Sequence, residues 1–238
     1  MVVWEVHQAL RESVKPGVTT AELNEEALRM CKAAGAEPAF LGYPSGKRSV
    51  PAFPGVLCTS VNEEIVHGIP NERPLREGDI LSIDFGCCLE GYFGDAAVTH
   101  AIGQISDEAT ELLRITEESL ELAIQQCVPG KRIGDISHAV QNCVEKKGFG
   151  VVREFVGHGI GENMHEPPHV PNFGKAGRGF SLKPGMVLAI EPMITAGDFA
   201  VKMLSDGWTA VTSDGSLSAH FEHSVAITDS EPYVLSRP

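Results

Sequence analysis

The chain has 238 residues, of which 42% are apolar and 21% charged, and this is the composition of an ordinary globular protein with a sizeable core. Its formal charge of −13 at pH 7 disfavours direct binding of nucleic acid, because affinity for phosphate backbones comes from clustered Lys and Arg. No apolar run approaches the roughly 20 residues that cross a bilayer, and the N-terminus lacks the order of charges and apolar residues of a signal peptide. The six cysteines show no CxxC spacing and indicate free thiols, so we predict a cytoplasmic protein without a membrane partner.

Paired helical patterns occur twice along the chain. An amphipathic pattern over residues 3–13 is followed, within residues 14–35, by a Pro-Gly turn and a second helix that ends at a glycine. The same order recurs over residues 107–126 and 127–148. Residues 14–35 align with residues 127–148 without a gap, so that Leu23 matches Ile136 and Ala27 matches Val140.

Short apolar strands follow each pair of helices, and their polar residues match as well. "EGDILSIDFG" matches "PGMVLAIEPM", "VHGIP" matches "GHGIG", and "GDAAVT" resembles "FEHSVAIT". The matched polar residues are Asp84 with Glu191, His67 with His158, and Asp95 with Glu222. We predict one compact α+β domain over residues 1–238, with two related halves at about 1–105 and 106–238 and with helices packed on one face of a sheet.

Two carboxylates in the first half occupy strand positions where buried side chains are expected. If residues 80–88 and 92–99 form a hairpin that turns at Leu89 and Glu90, Asp84 and Asp95 lie directly opposite each other, with Cβ atoms ~4.5–5.5 Å apart. No Lys or Arg lies between residues 77 and 113 to compensate their charge. Carboxylates buried this close must share a proton, find a more distant cationic partner or bind a metal ion.

The second half adds three more candidate ligands in apolar settings, namely His158, Glu191 and Glu222. Two divalent cations would offset the charge of the four carboxylates, and paired cations of this kind occur in sites that hydrolyse amides or phosphate esters. Oxygen-rich ligation with one imidazole suits Mn, Co, Fe or Zn better than a metal that prefers thiolates. These carboxylates therefore indicate a site for two divalent metal ions.

The order of these motifs resembles that of the type I methionine aminopeptidases, which have the pita-bread fold. The motifs are "SIDFG", "GDAAVT", "GHGIG", "IEPM" and "EHSVAIT", and the resemblance extends from about residue 14 to residue 230. It implies a metal-dependent exopeptidase that removes the N-terminal methionine from peptides and nascent chains and prefers a small second residue.

The resemblance also implies a role for each ligand. Asp84 would bind one metal ion, Asp95 and Glu222 would bridge both, and His158 and Glu191 would bind the other. Glu191 would also carry a proton from the attacking water to the leaving amine. His165 would contact the scissile carbonyl oxygen, and His67 would contact the scissile amide nitrogen.

The methionine pocket is the part in which the sequence departs from the family pattern. Phe53 stands where a Tyr is usual, and Met164 stands where an aromatic residue is usual. The loop over residues 41–57 is longer and richer in Pro and Gly than expected. Together with Cys58 and Trp208, these residues still predict a soft, apolar cavity that suits a thioether.

Three alternatives stay open at this stage. An X-Pro aminopeptidase or prolidase has the same fold but usually carries an additional N-terminal domain, for which this chain has no room. A non-catalytic peptide-binding module of this fold would have lost metal ligands. A metal-dependent phosphoesterase would place basic residues near the carboxylates. We expect a monomer whose partners are peptide or nascent-chain N-termini, and transient association with the ribosome is an open expectation.

Overall fold

Four α-helices carry the apolar faces that the sequence predicts. The computed structural model describes residues 2–238, and its helices are α1 (Val2–Ser13), α2 (Thr20–Ala33), α3 (Asp107–Ile124) and α4 (Ile133–Glu145). A capping box begins α2, in which Thr19 Oγ1 accepts from the backbone N–H of Glu22 and Glu22 Oε2 accepts from that of Thr19. Gly35 and Gly148, just beyond α2 and α4, have φ of 69° and 83°, as is common after the end of a helix.

The strands are short except for one long hairpin. In chain order they are β1 (Glu37–Pro38), β2 (Cys58–Val61), β3 (Glu64–Val66), β4 (Ile80–Leu89), β5 (Tyr92–Ala101), β6 (Gly150–Val151), β7 (Gly157–Gly159), β8 (Glu166–Val170), β9 (Val187–Ile190), β10 (Met193–Thr195), β11 (Val201–Met203), β12 (Ala210–Thr212), β13 (Ser218–His220), β14 (Glu222–Ala226) and β15 (Tyr233–Val234).

The main sheet is antiparallel and joins strands from both halves of the chain. Its order is β1-β4-β5-β14-β9-β7-β8, with β2 also paired to β4 and β15 to β14. The halves meet where β5 pairs with β14, with Glu222 opposite Ala97. Two three-stranded sheets, β13-β10-β6 and β11-β12-β3, complete the fold.

The hairpin of β4 and β5 has a different register from the predicted one. The hairpin turns at Glu90 and Gly91, which have φ of 54° and 86°. A two-residue turn of this kind needs positive φ at both central positions, and glycine adopts positive φ readily. Asp84 therefore lies opposite Ala97, and Asp95 lies opposite Gly86. The prediction that the two carboxylates lie directly opposite each other was wrong. The shift is two residues, so both still point to the same face of the sheet, as diagonal neighbours.

The helices cover one face of the main sheet and leave the opposite face for the polar residues. Ile83 and Phe85, on either side of Asp84, pack in one buried cluster with residues of α1 and α2. Because side chains alternate along a strand, Asp84 points the other way. None of the helices within residues 2–238 is long and apolar enough to cross a membrane.

Matched positions of the two helical segments lie in two separate clusters of the core. Leu23 and Ala27 of α2 are buried in the cluster of the first half. Ile136 and Val140 of α4 are buried in the other, which holds β9 and β14 residues as well. This arrangement is consistent with two related halves. The division at 1–105 and 106–238, within one domain over residues 1–238, stays a prediction.

Candidate metal centre

A cavity of about 310 Å³ opens on the face of the main sheet that the helices leave free. It brings together every site residue that the sequence predicts, although these residues are spread over most of the chain. They are Phe53, Cys58, His67, Asp84, Asp95, His158, Met164, His165, Glu191, Trp208 and Glu222, and Phe40 and Tyr43 complete the lining.

Three of these residues form a compact ligand set. Asp95, His158 and Glu222 are buried, with 3%, 6% and 2% of their surface exposed. One ligand atom from each lies within 4.8 Å of the others. Asp95 lies on β5, Glu222 begins β14 and His158 lies in the middle of β7, so regular strands from both halves hold the set.

Asp84 and Glu191 extend this set on either side. Asp84 is partly buried on β4, one strand along from Asp95, and Glu191 directly follows β9. Glu191 Oε1 lies 3.6 Å from His158 Nε2. His158 Nδ1 donates a 2.9 Å hydrogen bond to the carbonyl oxygen of Gly159, which fixes the ring and leaves Nε2 as the free ligand atom.

The pKa values of these groups are shifted in the direction expected for charges that are buried without a cation. Burial raises the pKa of Asp95 to about 7. Burial, and then repulsion from neighbouring carboxylates, raises the pKa values of Asp84, Glu191 and Glu222 well above the usual range. Burial lowers the pKa of His158 to about 4, so its imidazole is neutral and able to bind a metal ion at neutral pH.

The residues present fit divalent cations. Asp84 Oδ1, Asp95 Oδ1 and Glu222 Oε1 are buried and have no hydrogen-bond partner among residues 2–238. Buried polar atoms are normally paired, because an unpaired one costs ~1–3 kcal/mol and a charged one more. Carboxylate oxygens with one neutral imidazole are ligands that hard and borderline divalent metals accept, so divalent cations bound here would satisfy the three orphaned oxygen atoms.

His67 is held in an unusual backbone conformation at the edge of the cavity. Its φ of 60° lies in the left-handed region, which non-glycine residues seldom adopt outside turns and functional sites. A Cβ on the next residue, Gly68, would overlap the carbonyl oxygen of Thr59, so only glycine fits there. Phe155 packs edge-on against the His67 ring at 5.3 Å, and burial lowers the pKa of His67 to about 4.

His165 lies beside the ligand set but closer to solvent. Its ring centre is 4.3 Å from that of His158. Tyr43 Oη is 2.9 Å from His165 Nδ1, so the hydroxyl and the ring form a hydrogen bond. Partial burial lowers the pKa of His165, which is therefore neutral at pH 7.

The apolar part of the cavity has walls from three distant segments. Phe53 and Trp208 meet edge to face, with ring centres 5.2 Å apart. Cys58 and Met164 are buried in the same cluster. Trp208 Nε1 donates to the carbonyl oxygen of Pro51, so the long loop over residues 41–57 is anchored on the tryptophan.

Three residues of the site were missed by the sequence analysis. Phe40 and Tyr43 line the cavity, and His220 places Nε2 3.6 Å from Glu191 Oε2. Tyr43 could have been found, because it lies in the loop whose unusual length was noticed. His220 precedes Glu222 by two residues, and the motif "EHSVAIT" that indicated Glu222 begins after it.

Comparison with known proteins gives the family. The sequence profile of metallopeptidase family M24 matches residues 2–229. The chain belongs to this family. Within M24, it is 50% identical over 236 residues to methionine aminopeptidase 1 of Bacillus subtilis, a match that covers 99% of this chain and 92% of that protein. It is 51% identical over 236 residues to the methionine aminopeptidase of Clostridium acetobutylicum, with the same coverage.

A solved structure of an M24 relative agrees with the fold. The methionine aminopeptidase of Thermotoga maritima superposes with a TM-score of 0.95 at 44% identity, covering 100% of this chain and 93% of that one. The predicted α+β pita-bread fold and the resemblance to methionine aminopeptidases are thereby confirmed. The buried set of Asp95, His158 and Glu222 is the candidate metal-binding site of an M24 metallopeptidase.

Proposed function

We propose that this chain removes the N-terminal methionine from peptides and nascent proteins whose second residue is small. The observation that carries the proposal is the buried ligand set with its orphaned carboxylate oxygens, next to an apolar cavity. Relatives that share about half of its residues over nearly its whole length are methionine aminopeptidases.

The site would hold two divalent cations, with Mn, Co, Fe or Zn as candidates. We assign Asp84 to one cation and His158 and Glu191 to the other, with Asp95 and Glu222 shared between them. The position of Asp95 and Glu222 on adjacent central strands supports the bridging role. Bound in this way, the cations would supply Lewis acidity that activates a water molecule for attack at neutral pH.

The side chains of the chain itself would orient the substrate and move its protons. Glu191 would take the proton of the attacking water and pass it to the leaving amine, because its carboxylate lines the cavity beside the ligand set and can both accept and donate a proton. The free α-amine of the substrate would bind on the Asp84 side, which restricts cleavage to the first residue.

The two cavity histidines would form hydrogen bonds with the scissile amide. His165 would donate from Nε2 to the carbonyl oxygen, where negative charge develops, since Tyr43 occupies Nδ1 and leaves Nε2 free. His67 would contact the amide nitrogen.

Specificity would come from two neighbouring parts of the cavity. Phe53, Cys58, Met164 and Trp208 form an apolar wall that accepts an unbranched thioether and disfavours charged first residues, because burying an unpaired charge is costly. His67 and His165 crowd the position of the second residue. Small second residues such as Gly, Ala, Ser, Thr, Cys, Val or Pro should therefore be tolerated, and Lys, Glu or Phe rejected.

The setting of this activity is also a proposal. All six cysteines are free thiols, which supports a reducing compartment such as the cytoplasm. In that compartment the enzyme would act on nascent chains through transient association with the ribosome. It would act as a monomer.

A peptide panel tests the proposed specificity. With added divalent metal, Met-Ala-Ser should be cleaved far faster than Met-Lys-Ser, and norleucine should remain a usable first residue because a methylene change in such a pocket alters selectivity only ~10–200-fold. Release of the first residue is measured by mass spectrometry. Faster cleavage of Ala-Pro-X peptides than of Met-Ala-Ser would favour an X-Pro peptidase instead.

A further inference from the structure

The carboxylate of Glu191 lies between two imidazoles. Its Oε1 is 3.6 Å from His158 Nε2, and its Oε2 is 3.6 Å from His220 Nε2. His158 lines the cavity, whereas His220 is not among the residues that line it. His220 therefore contacts Glu191 from outside the cavity.

His220 is buried and firmly placed. Only 2% of its surface is exposed. The backbone N–H of His220 donates to Thr99 Oγ1 at 2.9 Å, and the Thr99 hydroxyl donates to the carbonyl oxygen of His220 at 2.8 Å. His220 also pairs with Met193 across β13 and β10. These contacts hold the His220 ring next to Glu191.

The His220 ring has a nitrogen atom without a partner. Nε2 is buried and makes no hydrogen bond within residues 2–238. The neutral ring needs an acceptor if Nε2 carries the proton, and the Glu191 carboxylate is the acidic group in contact with it. The separation exceeds a normal N–H···O distance by only about 0.7 Å, so a small rotation of the Glu191 side chain would close the hydrogen bond.

We propose that His220 is a positioning residue for Glu191 and, through it, for the cation on the His158 side. This inference rests on the proposed function, because it takes Glu191 as a metal ligand. A hydrogen bond from His220 Nε2–H to Oε2 directs Oε1 toward His158 and the cavity. Groups that hydrogen-bond to a ligating side chain typically change metal affinity ~10–100-fold when they are removed.

Two variants that differ by one methylene group separate this role from a packing role. In His220→Gln, the side-chain amide can still reach Glu191, whereas in His220→Asn it is too short. Both replace the ring by a smaller polar group, so both carry the cost of lost packing. His100→Gln is the matched control, because His100 is also a histidine with a buried, unpartnered Nε2, but it lines a cleft between α1 and α3 on the other face of the sheet.

Calorimetric titration of the metal-free proteins with Mn²⁺ gives the first measurement. We expect His220→Asn to bind one of two ions ~10–100-fold more weakly than wild type, with His220→Gln recovering most of the affinity and His100→Gln unchanged. At limiting metal, turnover of Met-Ala-Ser should be lowest for His220→Asn, intermediate for His220→Gln and unchanged for His100→Gln. The KM for the peptide should be little altered. Equal Mn²⁺ affinity of His220→Asn and wild type would overturn the proposal.

A second measurement needs no variant and covers the case in which His220→Asn does not fold. In ¹⁵N-labelled wild-type protein, the His220 side chain should show a protonated Nε2 whose proton exchanges slowly with solvent, in the metal-free and in the Mg²⁺-loaded or Zn²⁺-loaded protein. An unprotonated Nε2 in both states would overturn the positioning role. If wild type binds no divalent metal, the proposed function fails, whereas the metal-free spectrum still tests the contact between His220 and Glu191.

Discussion

Replacing Asp95 with alanine is expected to bring methionine release from Met-Ala-Ser close to background and to lower the amount of bound metal. Asp95 belongs to the compact ligand set and, as a bridging ligand, would contact both cations. Glu222→Ala should have the same effect, because Glu222 belongs to the same ligand set and lies on the adjacent strand. Activity and metal content are measured on the same preparations after chelation and re-addition of Mn²⁺.

The same substitution should not unfold the protein. In the absence of metal, burial raises the pKa of Asp95, and burial followed by repulsion from Asp95 raises the pKa of Asp84. Removing the Asp95 carboxylate therefore relieves an unfavourable interaction. The thermal midpoint of Asp95→Ala in chelator is therefore expected at or above that of wild type. Asp107→Ala, which removes an exposed carboxylate at the start of α3, serves as the control with normal activity. Near-normal turnover of Asp95→Ala would rule out the dinuclear site.

His165→Ala is expected to lower kcat by ~10²–10³ while metal binding is retained, because removal of one donor to a developing oxyanion typically costs that much. His165 contacts the His158 ring but lies outside the compact ligand set, so the cations should stay bound. Steady-state kinetics with Met-Ala-Ser and metal analysis give the two readouts.

The control for this variant is His169→Ala, since His169 is an exposed histidine on β8 four residues away that does not line the cavity. It should behave as wild type. If His165→Ala changed only KM, His165 would be a residue that positions the substrate and not one that stabilises charge in the transition state.

The strand pattern was enough to predict that Asp84 reaches the site. Asp84 lies between Ile83 and Phe85, whose apolar side chains must face the helices, so alternation alone directs Asp84 to the opposite face. Alternation does not fix the register of a hairpin. The turn at Glu90 and Gly91 set it, and the predicted register was wrong by two residues without changing the face to which either carboxylate points.

Contacts between distant loops were beyond reach from the sequence. Tyr43 and His165 are 122 residues apart, and their hydrogen bond depends on the path of the loop over residues 41–57. His220 precedes Glu222 on the next strand and reaches Glu191 only because β13 and β10 pair in one register. Neither contact leaves a periodic pattern in the sequence, because irregular loops and strand register are set by tertiary packing.

Metal titration of the chelated protein, with methionine release from Met-Ala-Ser followed at each step, tests the central claim most directly. The account predicts no release without metal and release that rises with added Mn²⁺ or Co²⁺ until about two cations are bound per chain, as two-metal chemistry requires. Methionine release by the fully chelated protein would contradict the account. So would the lack of release with every divalent cation tested.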